Sequence, residues 1–258
     1  MIDLAIKVAK TAGNFLLERF GKIRSVSEKK QGGRITLVTD VDIEAEKEMI
    51  KLIHRECPHH DIVGEEGTAE RKKSHYRWLI DPLDGTHNYI RGIPIFGVSV
   101  ALEYKDEVVL GVINLPYFNE LFRAEKGNGA LLNGERIFVS KRNLPETMAV
   151  YDSTLRDDKG LKISFLEKLV GRVFTIRSLG SAAIHHSLLA RGSVDLIVEY
   201  EEGPWDFSAG ALLVEESGGR VTDMEGCSWS PYMPRYIASN GRIHDEVLKI
   251  WARRSMGT

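Results

Sequence analysis

The sharpest chemical feature of the chain is a pair of carboxylates, Asp81 and Asp84, in the segment DPLDGT (81–86), which directly follows the apolar run 78–80. Two acids three residues apart, in a turn shaped by proline and glycine, suit a hard divalent cation, because Mg²⁺ takes oxygen ligands at about 2.0–2.1 Å and keeps several waters. The Leu83 carbonyl could add a neutral ligand. The N–H groups of Gly85 and Thr86, at the start of a following helix, would form an anion site. The pattern indicates phosphoryl chemistry, and a turn with solvated acids is the alternative.

A second acidic pair, Glu65 and Glu66, lies just past another apolar strand. If the strand starting at Asp61 lies beside the one ending at Ile80, four carboxylates converge at one edge of a sheet. Without a cation these four acids would repel one another and raise each other's pKa, so their convergence favours a metal site. Taken alone, this pair of acids is more typical of a solvated turn.

Two further acids stand at predicted helix starts. Asp206 enters a helix in WDFSAG (205–210), and Asp42 lies in VTDVD (38–42), with Glu46 four residues later. Each could simply cap its helix, since carboxylates at this position accept hydrogen bonds from free N–H groups.

The predicted elements in the first half of the chain, which must position most of these acids, indicate an α+β arrangement. An N-terminal helical stripe ends near Gly21, and a basic, glycine-containing loop then leads into a second helix that starts near Asp42 and ends at Pro58. Strands are predicted in DIVGEE and YRWLID, and a hairpin turns around Lys105 and Asp106. A meander strand, ELFRAE, and a glycine-rich turn, GNGALLNGER, follow.

Beyond about residue 140, strands alternate with helices, which favours an α/β layered half. We therefore divide the chain into residues 1–140, with most metal ligands, and residues 141–258, with Asp206 and the substrate contacts. The halves are expected to pack as one unit with a ligand site at their junction. Strands are predicted in TMAVYDS, VFTIRS, VDLIVEY and RYIASN, and helices near 161–170, 182–191, 207–217 and 243–253.

Composition excludes several classes of protein. The 258 residues include 35 Lys and Arg against 37 Asp and Glu, a formal charge of −2, which gives no overall field for binding nucleic acid or an anionic membrane. Cys57 and Cys227 form no CxxC motif, and no apolar run reaches the roughly 18 residues of a membrane span. We expect a cytoplasmic protein with no nucleic-acid or membrane partner. The eight histidines show no zinc-ligand spacing, because both pairs are adjacent and would point to different sides of a helix.

Six motifs in order resemble the inositol monophosphatase-like superfamily of Mg²⁺-dependent sugar and polyol phosphatases. The resemblance spans nearly the whole chain and implies a layered αβαβα sugar-phosphatase fold. The motifs are VTDVDIEAE (38–46), GEEG (64–67), WLIDPLDGTHNYIRGIP (78–94), GxGAxxNGxR (127–136), RSLGSAA (177–183) and WDFSAGALLVEESGG (205–219).

The resemblance implies specific roles for the acids. Glu65, Asp81 and the Leu83 carbonyl would hold a first Mg²⁺. Asp81, Asp84 and Asp206 would hold a second, and Glu66 a third, weaker one through water. No basic residue is predicted to neutralise the six acids of this site, which are Asp42, Glu65, Glu66, Asp81, Asp84 and Asp206.

The resemblance also implies how water and substrate are held. Asp42 and Thr86 match the pair that orients the attacking water, with Asp42 as general base ahead of Glu66, and Gly85 and Thr86 match the phosphate contacts. Polyol contacts match Gly180, Ser181, Ala182 and Glu199, although Glu199 could instead be an exposed acid at a strand end. The loop with Lys29, Lys30 and Arg34 corresponds to one that folds over the site, and a solvated loop is the alternative.

The leading hypothesis is a phosphomonoesterase for myo-inositol monophosphate with overlap onto fructose 1,6-bisphosphate. The resemblance further implies Li⁺ inhibition and a homodimer. One alternative is a phosphatase for 3′-phosphoadenosine 5′-phosphate or another sugar phosphate. A second, in a different class, is a non-catalytic regulatory protein on the same scaffold that acts through protein or RNA contacts. A serine esterase is disfavoured because a GxSxG elbow is missing, and the dinucleotide fingerprint has the wrong glycine spacing.

Overall fold

A computed structural model describes residues 1–31, 34–155, 158–200, 202–233 and 235–252, and it describes only the backbone course of residues 30, 31, 34 and 35. None of the helices in these ranges is long and apolar enough to cross a membrane. The α-helices of the described ranges are α1 Ile2–Arg19, α2 Asp40–Glu56, α3 Thr86–Ile90, α4 Lys159–Leu169, α5 Ala182–Ala190, α6 Pro204–Glu216 and α7 His244–Ala252.

The strands form a hairpin and two larger sheets. The strands of the described ranges are β1 Val26–Gln31, β2 Arg34–Thr39, β3 Asp61–Gly64, β4 Ala69–Glu70, β5 Tyr76–Asp84, β6 Gly97–Tyr104, β7 Glu107–Leu115, β8 Glu120–Glu125, β9 Ala130–Leu132, β10 Glu135–Arg136, β11 Met148–Tyr151, β12 Thr175–Arg177, β13 Leu196–Tyr200, β14 Arg220–Thr222 and β15 Arg235–Ser239. The large sheet has the order β10-β9-β8-β7-β6-β5-β3-β4, and the smaller one has the order β12-β11-β13-β15-β14.

The helices and sheets alternate as five layers. Alternate residues of β5 face opposite sides, so Trp78 and Ile80 pack with α1 and α2, whereas Leu79 packs with α5 and α6. The far side of α5 and α6 packs on the smaller sheet through Phe207 and Ile197. The opposite face of that sheet is covered by α4 and α7. This order, α-β-α-β-α, confirms the predicted layered α/β fold.

The middle layer explains why two helices lack an apolar stripe. Helices α5 and α6 are buried along most of their length, with a sheet on either side. A helix enclosed from both sides needs apolar or small residues all round. Their sequences therefore show little periodicity, and this layer carries two of the predicted site residues, Ala182 and Asp206.

Most predicted elements are present at their expected places. The parallel pairing of β3 with β5 is confirmed, with Gly64 opposite Ile80. The β6–β7 hairpin turns at Lys105 and Asp106, which both have positive φ, as a tight two-residue turn requires. The short strands β4, β9, β10 and β14 were not predicted, and β9 and β10 lie in the segment 127–136 that was predicted as a glycine-rich turn. The proposed boundary near residue 140 falls between the strands of the two sheets and stays a prediction.

The predicted basic loop is wrong, because this segment forms the antiparallel β1–β2 hairpin. Its register pairs Lys29 with Thr36 and Gln31 with Arg34. The loop was predicted from the basic residues and glycines of the segment. Two signals favoured a hairpin instead: the β-branched run ITLVT, which is typical of a strand, and the Gly-Gly pair at 32 and 33, which is common in two-residue hairpin turns. These two glycines and the side chains of Lys30 and Arg34 lie outside the described part of the chain.

Candidate active site

The carboxyl ends of β3 and β5 bring two of the predicted acids together. Because the strands are parallel neighbours, Glu65 and Asp81 follow paired residues, and the Glu65 N–H donates to the Ile80 carbonyl at 3.2 Å. Asp206 arrives from the first turn of α6, where its Oδ2 accepts from the Gly203 N–H at 2.6 Å. Oxygens of Glu65, Asp81 and Asp206 lie within 4.8 Å of one another. These three carboxylates form the candidate metal site.

The electrostatics of this cluster fit a cation. Burial, and then the neighbouring charge of Glu65, raise the pKa of both Asp81 and Asp206 well above the usual range. Asp81 is fully buried, and its Oδ2 has no hydrogen-bond partner among the described residues. A buried, unpartnered carboxylate oxygen is costly unless something positive occupies the space beside it. The three-carboxylate oxygen donor set is of the kind that Mg²⁺ binds.

Asp84, the fourth predicted side-chain ligand, is held by the start of α5. Its carboxylate accepts from the Ser181 hydroxyl, from the Ala182 N–H at 3.1 Å and from the Ala183 N–H at 2.9 Å. Burial raises the pKa of Asp84 to about 6, against the lowering effect of the Ser181 hydrogen bond. Asp84 lines the same cavity as Asp81 and Asp206 but lies outside the group of three.

The predicted water-orienting pair is in contact. The Thr86 hydroxyl lies 3.1 Å from Asp42 Oδ1 and 3.0 Å from the Leu83 carbonyl oxygen, so its single proton has two acceptors. Asp42 is fixed from the other side because its Oδ2 accepts from the Thr39 N–H and hydroxyl in a capping box at the start of α2. Burial raises the pKa of Asp42 to about 6. Asp42 therefore does cap helix α2, as one of the two interpretations predicted, and its carboxylate contacts Thr86 as well.

A lysine stands among the acids, so the expectation that no basic residue neutralises them is wrong. Lys29 Nζ lies 3.0 Å from Glu65 Oε1 and 2.7 Å from Glu66 Oε1. Burial and the charge of Glu65 raise the pKa of Glu66 to about 7, and the Lys29 hydrogen bond opposes this shift. The error follows from the missed hairpin, because only the β1–β2 pairing carries Lys29 across to these carboxylates.

The turn that presents Glu65 and Glu66 is clamped by Glu46, a residue of the first motif to which we assigned no role. Glu46 accepts from the Glu66 N–H at 2.8 Å and from the Thr68 hydroxyl at 2.6 Å. Gly64 permits this approach, since a Cβ there would lie 2.4 Å from Glu46 Oε2. The nearby Asp40 is not part of the site, because it accepts from the N–H groups of Arg24 and Ser25.

The predicted substrate residues line a cavity of about 1130 Å³ whose walls come from both sides of residue 140. Gly85, Thr86, Gly180, Ser181, Ala182 and Glu199 all contribute to it, beside Glu65, Asp81, Leu83, Asp84 and Asp206. Glu66 and Asp42 stand just behind this wall, bonded to Lys29 and Thr86 respectively. The exposed-acid alternative for Glu199 is excluded, because Glu199 is 3% exposed.

Sequence reasoning missed three residues around Glu199. His185 Nδ1 lies 2.6 Å from Glu199 Oε1, and the pair is buried. Asp152 also lines the cavity and binds the fully buried Lys162 at 2.6 Å. A signal for His185 existed in its spacing, since it lies one helical turn after Ser181, on the same face of α5.

The sequence matches the inositol monophosphatase family over residues 1–255. A curated relative from Thermotoga maritima, named fructose-1,6-bisphosphatase/inositol-1-monophosphatase, is 39% identical over 249 residues, covering 96% of this chain and 94% of the relative. A relative of the same name from Aquifex aeolicus is 37% identical over 253 residues, with the same coverage. Escherichia coli Nus factor SuhB is 36% identical over 252 residues, again covering 96% and 94%.

Solved structures are similar over the same length. A Thermotoga maritima IMPase superimposes with a TM-score of 0.90 at 38% identity, covering 99% of this chain and 98% of that one. The extragenic suppressor protein suhB from Bartonella henselae gives a TM-score of 0.92 at 32% identity, covering 97% of both chains.

Proposed function

Because the chain belongs to the inositol monophosphatase family and is a phosphatase, we propose that it is a Mg²⁺-dependent phosphomonoesterase acting on inositol monophosphate and on fructose 1,6-bisphosphate. The two relatives named for both activities support this substrate pair. The observation that carries the proposal is the convergence of Glu65, Asp81 and Asp206 around an unpartnered Asp81 oxygen.

The residues proposed to bind cations directly line one cavity, and Glu66 stands behind its wall. Glu65, Asp81 and the Leu83 carbonyl would hold one Mg²⁺, and Asp81, Asp84 and Asp206 a second. Glu66 would assist a third through water. Bound cations would neutralise the phosphate dianion and lower the pKa of water toward about 7. The remaining chemistry falls to Thr86, Asp42 and the substrate-contacting residues.

Thr86 and Asp42 are proposed to handle the proton of the attacking water. When the Thr86 hydroxyl donates to Asp42, its oxygen is left to accept from that water, which orients the nucleophile. As the water loses its proton, Thr86 can pass one on to Asp42. A base with a pKa of about 6 is ionised at neutral pH and is still basic enough to take the proton.

The substrate is proposed to lie between Gly85 and Glu199. Gly85 and Thr86 would contact the phosphate, and Gly180, Ser181 and Ala182 would face the polyol. The Ser181 hydroxyl and the Ala182 N–H already bond to Asp84, so this stretch holds Asp84 as well as bordering the substrate. Glu199 would accept hydrogen bonds from the hydroxyls, because an ionised carboxylate only accepts.

A phosphate-release assay on inositol 1-phosphate, fructose 1,6-bisphosphate and 3′-phosphoadenosine 5′-phosphate, with Mg²⁺ or with EDTA, tests the proposal. We expect Mg²⁺-dependent release from the first two and none after Asp81→Asn. Asp61→Asn is the matched control, since Asp61 is a buried acid at the opposite end of β3 that accepts from backbone N–H groups. Hydrolysis of the nucleotide alone would refute the substrate assignment, and release that survives EDTA would refute the metal dependence.

The relatives named Nus factor SuhB support a second candidate function, a regulatory role on this scaffold through contacts with other macromolecules. Asp84→Asn should abolish hydrolysis while leaving the outer surface unchanged. A cell that depends on this protein and grows normally with Asp84→Asn would favour the regulatory role, whereas loss of growth would favour catalysis.

We further propose that the protein is cytoplasmic and acts as a homodimer with a small-molecule substrate. Sedimentation equilibrium tests the oligomeric state, and a mass near the 29.0 kDa of one chain would contradict the dimer.

A further inference from the structure

The pair His185 and Glu199 joins helix α5 to strand β13 at the wall of the cavity. The two side chains are 2% and 3% exposed, and His185 Nδ1 is 2.6 Å from Glu199 Oε1. Two bare acceptor atoms would not approach so closely, so a proton lies between them. One carboxylate oxygen of Glu199 is thereby fixed to the helix.

His185 extends a chain of contacts along the first turn of α5. Ser181, one turn earlier, donates to Asp84, and His185 holds Glu199. The first turn of α5 therefore positions two acids: Asp84 on the proposed metal side of the cavity and Glu199 on the proposed polyol side. The spacing of four residues places both contacts on one face of α5.

The neighbouring residue, His186, makes different contacts from His185. His186 Nδ1 bonds to the Ala182 carbonyl of its own helix at 2.8 Å, and its ring stacks on Tyr236 at 5.5 Å between centroids. His186 is fully buried and is not among the residues that line the cavity. His185 lines the cavity and bonds to Glu199, whereas the Nε2 atoms of both histidines lack a hydrogen-bond partner in the described ranges. Its place in the cavity wall and its bond to Glu199 therefore distinguish His185 from His186.

We propose that His185 is a positioning residue for substrate specificity, which orients Glu199 to accept hydrogen bonds from the hydroxyls of a polyol phosphate. The inference rests on the proposed function, since it assigns Glu199 to the polyol. His185 then governs recognition of the group that carries the phosphate, and the reacting phosphate itself does not depend on it.

Two substrates separate this role from a structural one. Inositol 1-phosphate presents hydroxyls to Glu199, whereas p-nitrophenyl phosphate has none. His185→Leu removes the proton held between the pair, and we expect KM for inositol 1-phosphate to rise roughly tenfold, as for a lost hydrogen bond to a charged group. KM and kcat for p-nitrophenyl phosphate should stay within about twofold. His186→Leu is the matched control and should not change the ratio between the two substrates.

A second pair of variants keeps the test decisive if His185→Leu fails to fold. Asparagine places its amide nitrogen near the position of Nδ1 and can still donate to Glu199, whereas glutamine places it near Nε2. We expect His185→Asn to restore KM for inositol 1-phosphate to within about threefold and His185→Gln to leave it high. Thermal unfolding of each variant reports whether it is folded.

The outcomes distinguish this inference from the proposed function. Equal losses on both substrates, no change in KM, or the same effect from His186→Leu would overturn the role of His185 alone. Wild-type protein that hydrolyses p-nitrophenyl phosphate but no polyol phosphate would overturn the proposed substrate class and this inference together.

Discussion

The Thr86 hydroxyl lies 3.1 Å from Asp42 Oδ1, although 44 residues separate the two in the chain. Asp42 is fixed by the Thr39 capping box at the start of α2, and Thr86 begins α3 directly after β5. Helix α2 packs on β5, the strand that leads into α3, and this packing brings the two residues together. Neither local sequence contains the contact.

The first prediction concerns this contact. Thr86→Val keeps the shape of the side chain but removes the hydroxyl, so the proposed attacking water would lose its path to Asp42. We expect kcat to fall by roughly 10²–10⁴-fold, as for other proton-transfer groups, with KM little changed. Steady-state kinetics provide the measurement.

Thr86→Ser is the matched variant for this prediction, because serine retains the hydroxyl at the same atom. It should keep most of the activity. Equal losses in Thr86→Ser and Thr86→Val would show that the methyl group matters and the hydroxyl does not.

The second prediction concerns pH. The pKa values of Asp42 and Asp84 are raised to about 6, and that of Glu66 to about 7, mainly by burial. A carboxyl whose pKa is higher in the folded state binds protons better when folded, so its contribution to stability is full below the unfolded value and is lost as pH rises through the folded one. The metal-free protein should therefore lose stability between about pH 4 and pH 7.

Thermal unfolding in EDTA at pH 5 and pH 8 measures this loss, which we expect to lower Tm by at least roughly 3 °C. The proposed Mg²⁺ would bind the ionised acids of the folded chain and not the unfolded chain, so added Mg²⁺ should raise Tm most at the higher pH. A Tm in EDTA that rises with pH would contradict the prediction.

The third prediction concerns Lys29, which bonds to Glu65 and Glu66 where a cation is proposed to bind. Lys29→Gln removes an internal competitor for these carboxylates. We expect it to lower Tm of the metal-free protein and to tighten Mg²⁺ binding by roughly threefold to tenfold, as judged from the strength of partly buried ion pairs.

Calorimetric titration of Mg²⁺ without substrate measures this affinity. Lys51→Gln is the control, because Lys51 forms an exposed ion pair with Glu48 on α2. Weaker Mg²⁺ binding in Lys29→Gln would show that the ammonium group supports the site and does not compete with the cation.

The fourth prediction concerns Gly85, which precedes α3 with a φ of +89°. A Cβ at this position would lie 2.7 Å from the Ile95 carbonyl oxygen, in addition to the cost of a left-handed backbone. We expect Gly85→Ala to destabilise the protein by about 1–3 kcal/mol in denaturant unfolding and to remove most activity.

Gly92→Ala is its control, since Gly92 also has a positive φ, +70°, but open space where the Cβ would lie. It should show only the backbone cost and keep its activity. Comparable losses in the two variants would indicate that the crowding at Ile95 has no consequence.

The sequence determined much of the fold and the identity of the acids. The helical stripe of α1, the runs that become β3 and β5, and the turn at Lys105 were readable because each depends on neighbouring residues. The parallel pairing of two strands then sufficed to bring Glu65 beside Asp81, because the ends of neighbouring parallel strands meet at one edge of a sheet.

Only the tertiary structure decided what surrounds those acids. Lys29 contacts Glu65 because residues 26–39 form a hairpin, although the sequence predicted a loop there. Asp84 accepts a hydrogen bond from Ser181, which lies 97 residues away in the chain. The four-residue spacing from Ser181 places His185 on one face of α5, but only the packing of α5 between two sheets shows that His185 contacts Glu199. Residue types and their local order thus define which groups can do chemistry. Local capping bonds orient Asp42 and Asp206, whereas the contacts of Glu65, Asp84 and Glu199 depend on packing between distant elements.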